Sequence, residues 1–489
     1  MASLHNELLI LIFSLCDVGT VLSFGLTCKR FYSLASSKSV WIEIVRDLRH
    51  RGFIDRRLAR DPGQLTTSQL VALVQRVVSG PPSWSPTPDT HIIAPSISGC
   101  TILTPGPAPT GEYRALYPVP GGDYVFVVYG SVLECYAVED GRKIWTSEPL
   151  SAAHQISNVV IDRNQEEVSI LLQLRSTTDG NDFWLSLDLR QHREVQLLWL
   201  QIDALRQNDW NSQAEAVHLN RDIFAFRITG RHTPDCCLAL VDWLKLTIGV
   251  ISLQDSSPCE AIADNVLAVL TKHDDNDSFV TRLSIYDLRV VYALLPVVRT
   301  QADEPVLWNT LRPLELGNLA PSLSLGFDVP RAGSGACFPA LSIFPSPLED
   351  GAYRLWLSTG TTPDRNNTFS TSASASNQPV HTLHLISLSF PNPATGPGSI
   401  RLRKSYPTER WRTAHGVTFS GHTLQLAYPD TLGKRVLTHA NGLHHTVDLT
   451  ASDWLGKFEP EGAGGIWMSP YSGDWVCNFD DKVAIVHFR

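Results

Sequence analysis

A strand, an acidic residue, a turn and an answering apolar strand recur through the middle of this 489-residue chain, and that recurrence restricts the fold more than any other feature. The unit reads LECYAVEDGRKIWTSE around Glu139, WLSLDLRQHREVQLLW around Asp188, LALVDWLKLTIGVISL around Asp242 and RLSIYDLRVVYALL around Asp287. The acidic positions lie 49, 54 and 45 residues apart. Before each pair sits an alternating or apolar run, such as DYVFVVYG, EVSILLQL, IFAFRI or NVLAVLTK. Runs of that kind read as strands, and the wholly apolar ones as strands covered on both faces. A unit of three or four strand signals repeating at this length marks a β-propeller, in which each twisted sheet is buried by its neighbours. About seven blades are expected, one of them inside the longer interval between Asp287 and TLHLISLSF. Closing the ring calls for a strand from each end of the domain, with HIIAPSISGCTILTPG and KVAIVHFR as candidates. The competing architecture is a pair of β-sandwiches, but no midpoint linker separates two halves.

The first fifty residues follow a different period. Leu4, Leu8, Ile12 and Leu15, with Leu11 beside them, form one apolar helical face, while Leu9, Ile10 and Phe13 lie on the other. A helix apolar on nearly every side must be covered on both. Asp17 is placed to cap a second helix carrying Val18, Val21, Leu22 and Leu26. A third run sets Cys28, Phe31 and Leu34 at spacing three, and a fourth carries Trp41, Ile44, Val45 and Leu48 with Ser39 as its cap. So short a segment holds more apolar surface than it can bury alone, which predicts a partner.

The series Leu4, Leu8, Ile12, Phe13, Asp17, Leu22, Leu26, Cys28, Phe31, Leu34, Ala35 and Trp41 resembles an F-box. It departs from the family at position 5, where His stands in place of the usual proline. The third helix, LTCKRFYSLASSKSVW, is similar to those of large fungal F-box families. VDW and YDL in the body resemble degraded WD-repeat ends, without the Gly-His partner. The resemblance implies an all-α F-box head (1–50), a helical extension and Pro-rich linker (51–90), and an all-β, WD-repeat-like propeller (91–489). It further implies a non-catalytic adaptor of an SCF (cullin-RING) ubiquitin ligase. The head would dock on the Skp-type linker, and through it on cullin, by Leu4, Leu8, Ile12, Phe13, Leu22, Leu26, Phe31 and Trp41. The propeller would present a protein substrate. The alternatives are a propeller hydrolase or lyase with a helical cap, and a ligase-independent F-box scaffold.

Within 51–90, Leu70, Leu73, Val74 and Val77 predict a short amphipathic helix ending at Gly80. PPSWSPTPDT then reads as a linker, or as a strap if Trp84 is buried. Ser/Thr/Asn-rich segments near 361–379 and 391–399 read as flexible insertions.

Composition matters mainly for what it excludes. With 43% hydrophobic and 18% charged residues, this is globular rather than disordered composition. Nine cysteines form no CxxC pair, which predicts free thiols and a cytoplasmic or nuclear location. LLILIFSLC is too short to span a bilayer, and MASLHNE lacks the basic start of a secretion signal. Residues 1–80 carry a charge of +4 and the remainder −13. Arg46, Arg49, Arg51, Arg56, Arg57 and Arg60 crowd one segment with few aromatics, so a solvated face or an acidic protein contact is expected, not nucleic acid.

No metal, nucleotide or hydrolase motif is present, and no cofactor is expected. His444 and His445 are adjacent, so on a strand they face opposite sides. The acids of HDDND from His273 lack EF-hand spacing. GSGACFP from Gly333 has no following helix.

Overall fold

The computed structural model describes residues 4–84, apart from 56–57 and 59–60, and most strands and turns from residue 97 onward. Stretches outside it include 85–96, 107–114, 202–212, 230–236, 254–258, 300–305, 329–339, 361–379, 391–397, 410–417, 427–434 and 448–465. The insertion at 361–379, most of that at 391–399, GSGACFP, and Arg56, Arg57 and Arg60 therefore lie outside the described residues.

The head contains α1 (Asn6–Ser14), α2 (Val18–Gly25), α3 (Lys29–Ala35), α4 (Lys38–His50) and α5 (Thr67–Ser79). The Asp17 carboxylate accepts from the Thr20 amide at 2.6 Å and so caps α2. The cap of α4 is Ser37 rather than Ser39, because Ser37 holds the extended backbone before the first turn and Ser39 lies inside the helix. Thr66 and Gln69 form a reciprocal capping box on α5, which ends at Gly80. Without a proline, the entry to α1 is held from α3. The Arg30 guanidinium donates to the Leu4 carbonyl at 2.5 Å and to Asn6 Oδ1 at 2.9 Å.

The described body is built mainly of antiparallel sheets arranged as a β-propeller. The first sheet runs through Ala115–Pro118, Tyr124–Tyr129, Val132–Ala137 and Lys143–Thr146. The second holds His154–Asn164, Glu167–Ser176, Asp182–Asp188 and Arg193–Gln201, and the third Gln213–Leu219, Ile223–Thr229, Cys237–Asp242 and Thr247–Ser252. The fourth comprises Cys259–Ala263, Val266–Asp275, Ser278–Asp287 and Leu323–Asp328. Ala340–Pro345, Ala352–Gly360, Val380–Ser389 and Ser399–Glu409 make the fifth. His422–Leu426, Arg435–His439 and His444–Val447 make the sixth, and Ile466–Met468, Trp475–Phe479 and Lys482–Phe488 begin the seventh.

Ile97–Leu103, from the other end of the domain, pairs antiparallel with Lys482–Phe488 and completes the seventh sheet. Both candidate closing segments therefore meet as expected. The repeated acids also have a common place. Asp188, Asp242 and Asp287 end the third strands of their sheets, and Glu139 follows the third strand of the first.

Blade number differs from expectation. Five sheets are the four- or five-stranded blades of a propeller, against about seven expected; the six-stranded third sheet and the three-stranded sixth depart from that pattern. Among the described residues the interval after Asp287 adds no sheet of its own, but supplies Leu323–Asp328 to the fourth sheet and Ala340–Pro345 and Ala352–Gly360 to the fifth. It forms α6 (Leu288–Leu294) and then sends short strands back to earlier sheets. Val298–Arg299 and Leu314–Glu315 join the third sheet, and Val306–Leu307 joins the second. Two-residue edge strands carry no alternation, so this return path has no periodic signal.

Separate apolar cores join successive sheets. Val128 and Ile170 lie between the first and second, Leu171 and Phe224 between the second and third, and Leu238 and Leu267 between the third and fourth. Ala268 and Leu355 join the fourth to the fifth, while Val476 and Ile485 of the closing sheet meet Val125 and Val127 of the first. The apolar strand runs arise from this two-sided burial.

Where the closing strand leads into the first sheet, buried Glu134 gathers donors. Tyr136 Oη lies at 2.6 Å, Lys143 Nζ at 2.8 Å and the Gly106 amide at 3.2 Å. Burial pushes the carboxyl pKa up, and these donors with Tyr129 more than offset it, leaving the pKa below the ordinary 4.5. A depressed carboxylate pKa contributes stability above its unfolded value and loses it as pH falls through the folded value. Glu134→Gln is therefore expected to lower the unfolding midpoint at pH 7, with the gap to wild type closing in acid. Urea unfolding from pH 7 down to pH 3 measures it; a gap independent of pH would contradict the assignment.

Candidate functional site

The helical head presents an apolar face that the rest of the described chain leaves open. Along α1, Leu9 and Phe13 point into the head core, whereas Leu8, Leu11, Ile12 and Leu15 point outward, Leu11 at 58% exposure and Leu15 at 82%. On α2 and its end, Val18 and Val21 are buried while Leu22 is exposed and Leu26 stands at 87%. Tyr32 of α3 continues the exposed surface at 65%. An apolar helix can be covered on both sides only if a partner supplies the second side.

The eight residues expected to dock divide three ways. Leu8, Ile12, Leu22 and Leu26 lie on the exposed face. Leu4 and Phe31 are partly buried against the head core. Phe13 and Trp41 are buried in the head core. Phe13 sits in a ring cluster with Phe24 at 5.5 Å and Phe31 at 6.0 Å, so its period-matched position faces inward. Leu11, Leu15 and Tyr32 share the exposed apolar face and were not among the eight. Leu11 and Leu15 were legible as part of the outer stripe of α1, while Tyr32 is signalled only by its step of one residue from inward-leaning Phe31.

The head is fastened to the propeller along a seam made by the turn after Ala340–Pro345 of the fifth sheet and by the closing sheet. The Gly19 amide donates to the Leu348 carbonyl at 2.7 Å. Arg51 reaches Asp350 at 2.8 Å and the Ser346 carbonyl at 3.3 Å, while its guanidinium covers Phe53. Phe53 meets Tyr471 edge-on at 4.7 Å. Arg76 of α5 lies 3.8 Å from buried Asp474, which also faces His487 Nδ1 at 3.0 Å. Part of the arginine-rich segment thus serves the acidic body of its own chain. Beside the seam is a cavity of about 120 Å³ bordered by Gly52, Asp55, Gly122, Tyr471 and Asp474. Gly122 has φ +66°, and a Cβ there would lie on the Asp55 carboxylate, so only glycine fits.

Ionisable groups with displaced titration also gather at this seam. Burial pushes Asp264 up, partly offset by the Tyr353 hydroxyl at 3.3 Å and by Arg51. Burial likewise raises Tyr353 and Tyr471. Tyr353 donates to Asp264, and Tyr471 donates to the Pro345 carbonyl at 3.1 Å. Both hydroxyl donors are therefore engaged within the fold. Among the described residues no group of three or more His, Cys, Asp or Glu is placed to hold a metal ion, and no helix is long and apolar enough to cross a membrane.

Head and body together define an F-box-like helical domain carried on a β-propeller. The F-box-like family matches residues 1–47 of the chain. Comparison with curated protein sequences returned no match. Among solved structures, the WD40 domain of SCAP from fission yeast is similar at 10% identity and TM-score 0.37, over 77% of this chain and 84% of that one. An oligogalacturonate lyase in complex with manganese is similar at 11% identity and TM-score 0.40, over 81% and 98%. Drosophila Plexin A, from its complex with Semaphorin 1b, is similar at 11% identity and TM-score 0.32, over 81% and 87%. Scores this low carry no functional information.

Proposed function

We propose that the chain is a substrate-recognition adaptor of an SCF (cullin-RING) ubiquitin ligase, working in the cytoplasm, the nucleus or both. The observation that carries this reading is the open apolar face of Leu8, Leu11, Ile12, Leu15, Leu22, Leu26 and Tyr32 on an F-box-like domain. That face docks on a Skp-type linker and through it on cullin, while the propeller holds a protein substrate. Catalysis is then proximity between substrate and the ubiquitin-loaded enzyme, and this chain contributes no reacting side chain. A fastened head suits the task, since proximity is useful only when the two bound proteins keep a defined separation. The fungal affinity of the third helix belongs to the same proposal.

Co-elution of the full chain with a Skp-type linker tests the docking. Burying an exposed leucine is worth roughly 1.5–3 kcal/mol. Leu11→Asp with Leu15→Asp is therefore expected to weaken the complex by about 100-fold or more. The unfolding midpoint should stay within about 0.5 kcal/mol of wild type, because both side chains are exposed. Unchanged linker affinity in the folded double variant would remove the main support. Recovery of linker without cullin in a pull-down would favour the ligase-independent scaffold.

A further inference from the structure

The fifth sheet ends on Ser399–Glu409, at eleven residues one of the two longest strands described. It pairs with Val380–Ser389 on its inner side, and among the described residues no strand pairs with its outer side. Five consecutive residues here, Arg401, Leu402, Arg403, Lys404 and Ser405, are exposed. An outer strand clasped between neighbouring blades would alternate between covered and open positions. Consecutive exposure means that both faces of the strand at 401–405 meet solvent, while its Ile400 end packs with Leu323 and Leu325 of the fourth sheet.

The chemistry of this edge is equally specific. Three of the five residues are cationic, on a body whose charge is −13 beyond residue 80. Arg403 is the extra residue of a bulge, between the pairs Leu402 with Ile386 and Lys404 with Leu385. Its Nε donates to the Ser387 hydroxyl at 2.7 Å, so its position is held without a carboxylate. Cations and a bulge are how sheets guard open edges against neutral strands. The same guard is selective: it repels a second copy of this basic strand and attracts an acidic one.

We propose that residues 401–405 form a docking strip for an acidic, extended segment of a partner protein, which adds to the sheet as a further strand. Backbone hydrogen bonds provide the attachment, and Arg401 and Arg403 select carboxylate side chains. The strip lies on the fifth sheet of the propeller and shares no residue with the apolar face of the head. It deepens the adaptor reading by naming a substrate class, and rests on that reading only in making the partner a substrate.

The test uses the full chain and a fluorescein-labelled octapeptide of alternating Glu and Val, read by anisotropy at low salt. Two control peptides replace Glu by Lys, or alternate Glu with Pro, which lacks the backbone donor. The Glu–Val peptide is expected to bind, the Glu–Pro peptide at least tenfold more weakly, and the Lys–Val peptide not at all. Arg401→Glu with Arg403→Glu should invert the preference between Glu–Val and Lys–Val peptides. Both substitutions are exposed, and circular dichroism checks that the fold persists. Equal binding of the Glu–Val peptide to wild type and variant overturns the proposal, as does equal binding of the Glu–Pro peptide. Self-association of the chain that the same substitutions abolish also overturns it, in favour of a second copy as occupant. Linker binding, measured on the same samples, reports separately on the adaptor reading.

Discussion

Trp84→Ala is expected to cost about 3–5 kcal/mol, the range for truncating a fully buried tryptophan, and to loosen the head from the propeller. Trp84 ends the helical segment in a short turn, Pro82–Trp84, and has 0% exposure. Its ring lies 5.3 Å from Phe488, 5.0 Å from His422 and 6.3 Å from Trp475. It thus plugs the end of the very strand that closes the ring. Gly473, at φ +75°, passes so near that a Cβ there would stand 2.5 Å from the indole, so the seam is shaped around this ring. The indole Nε1 is buried with no hydrogen-bond partner among the described residues. Trp84→Phe therefore loses little: it keeps a ring in the site and removes a donor that was costing desolvation. Denaturant unfolding separates the two, with a large midpoint drop for Ala and a shift of about 1 kcal/mol or less for Phe. Protease cleavage after residue 84 should accelerate in the alanine variant only. Equal midpoints for wild type and alanine variant would show that the head is not held here.

Legibility varied with the kind of signal each element carries. Asp17, Gly80 and the two closing strands were readable because a cap, a terminating glycine and a bounded apolar run each act locally. The acidic residue of every repeat unit marked a strand end correctly, since a chain leaving a buried strand becomes polar. Three features had no such local mark. The first was the inward turn of Phe13. Phe13 sits on a helix apolar on nearly every side, so its pattern does not say which side is the core, whereas Leu11 and Leu15 were on a stripe already visible. The second was the return of Val298–Arg299, Val306–Leu307 and Leu314–Glu315 to earlier sheets, which no period announces. The third was the seam itself. Arg51 read only as part of a basic segment and Arg76 and Phe53 carried no signal, since their partners Asp350, Asp474 and Tyr471 lie roughly three to four hundred residues away and only the fold brings them together.

Deleting residues 482–489 should abolish the cooperative fold, because one strand here does the closing for the whole ring. Lys482–Phe488 is bonded on one side to Trp475–Phe479 and on the other to Ile97–Leu103, so its loss opens two edges at once. Val483, Ile485, Val486 and Phe488 are all essentially buried, on both faces of the strand. Each contributes roughly 1.5–3 kcal/mol by burial, and four such side chains approach the whole net stability of about 5–15 kcal/mol. Two strands stripped of a common neighbour would also expose apolar edges that invite association. The truncated chain is accordingly expected in the insoluble fraction, or as a species without a sharp unfolding transition. Because the missing element is a strand and not a covalent necessity, the peptide KVAIVHFR supplied in trans should restore a measurable part of the transition. A version with Pro at the position of Ile485 should not, since it removes a donor from the middle of the ladder. If the truncated chain unfolds with the wild-type midpoint, the ring is closed by some other contact. The deletion and Trp84→Ala act on the same seam, so in double variants of milder form, such as Phe488→Ala with Trp84→Ala, their costs should fall short of additive.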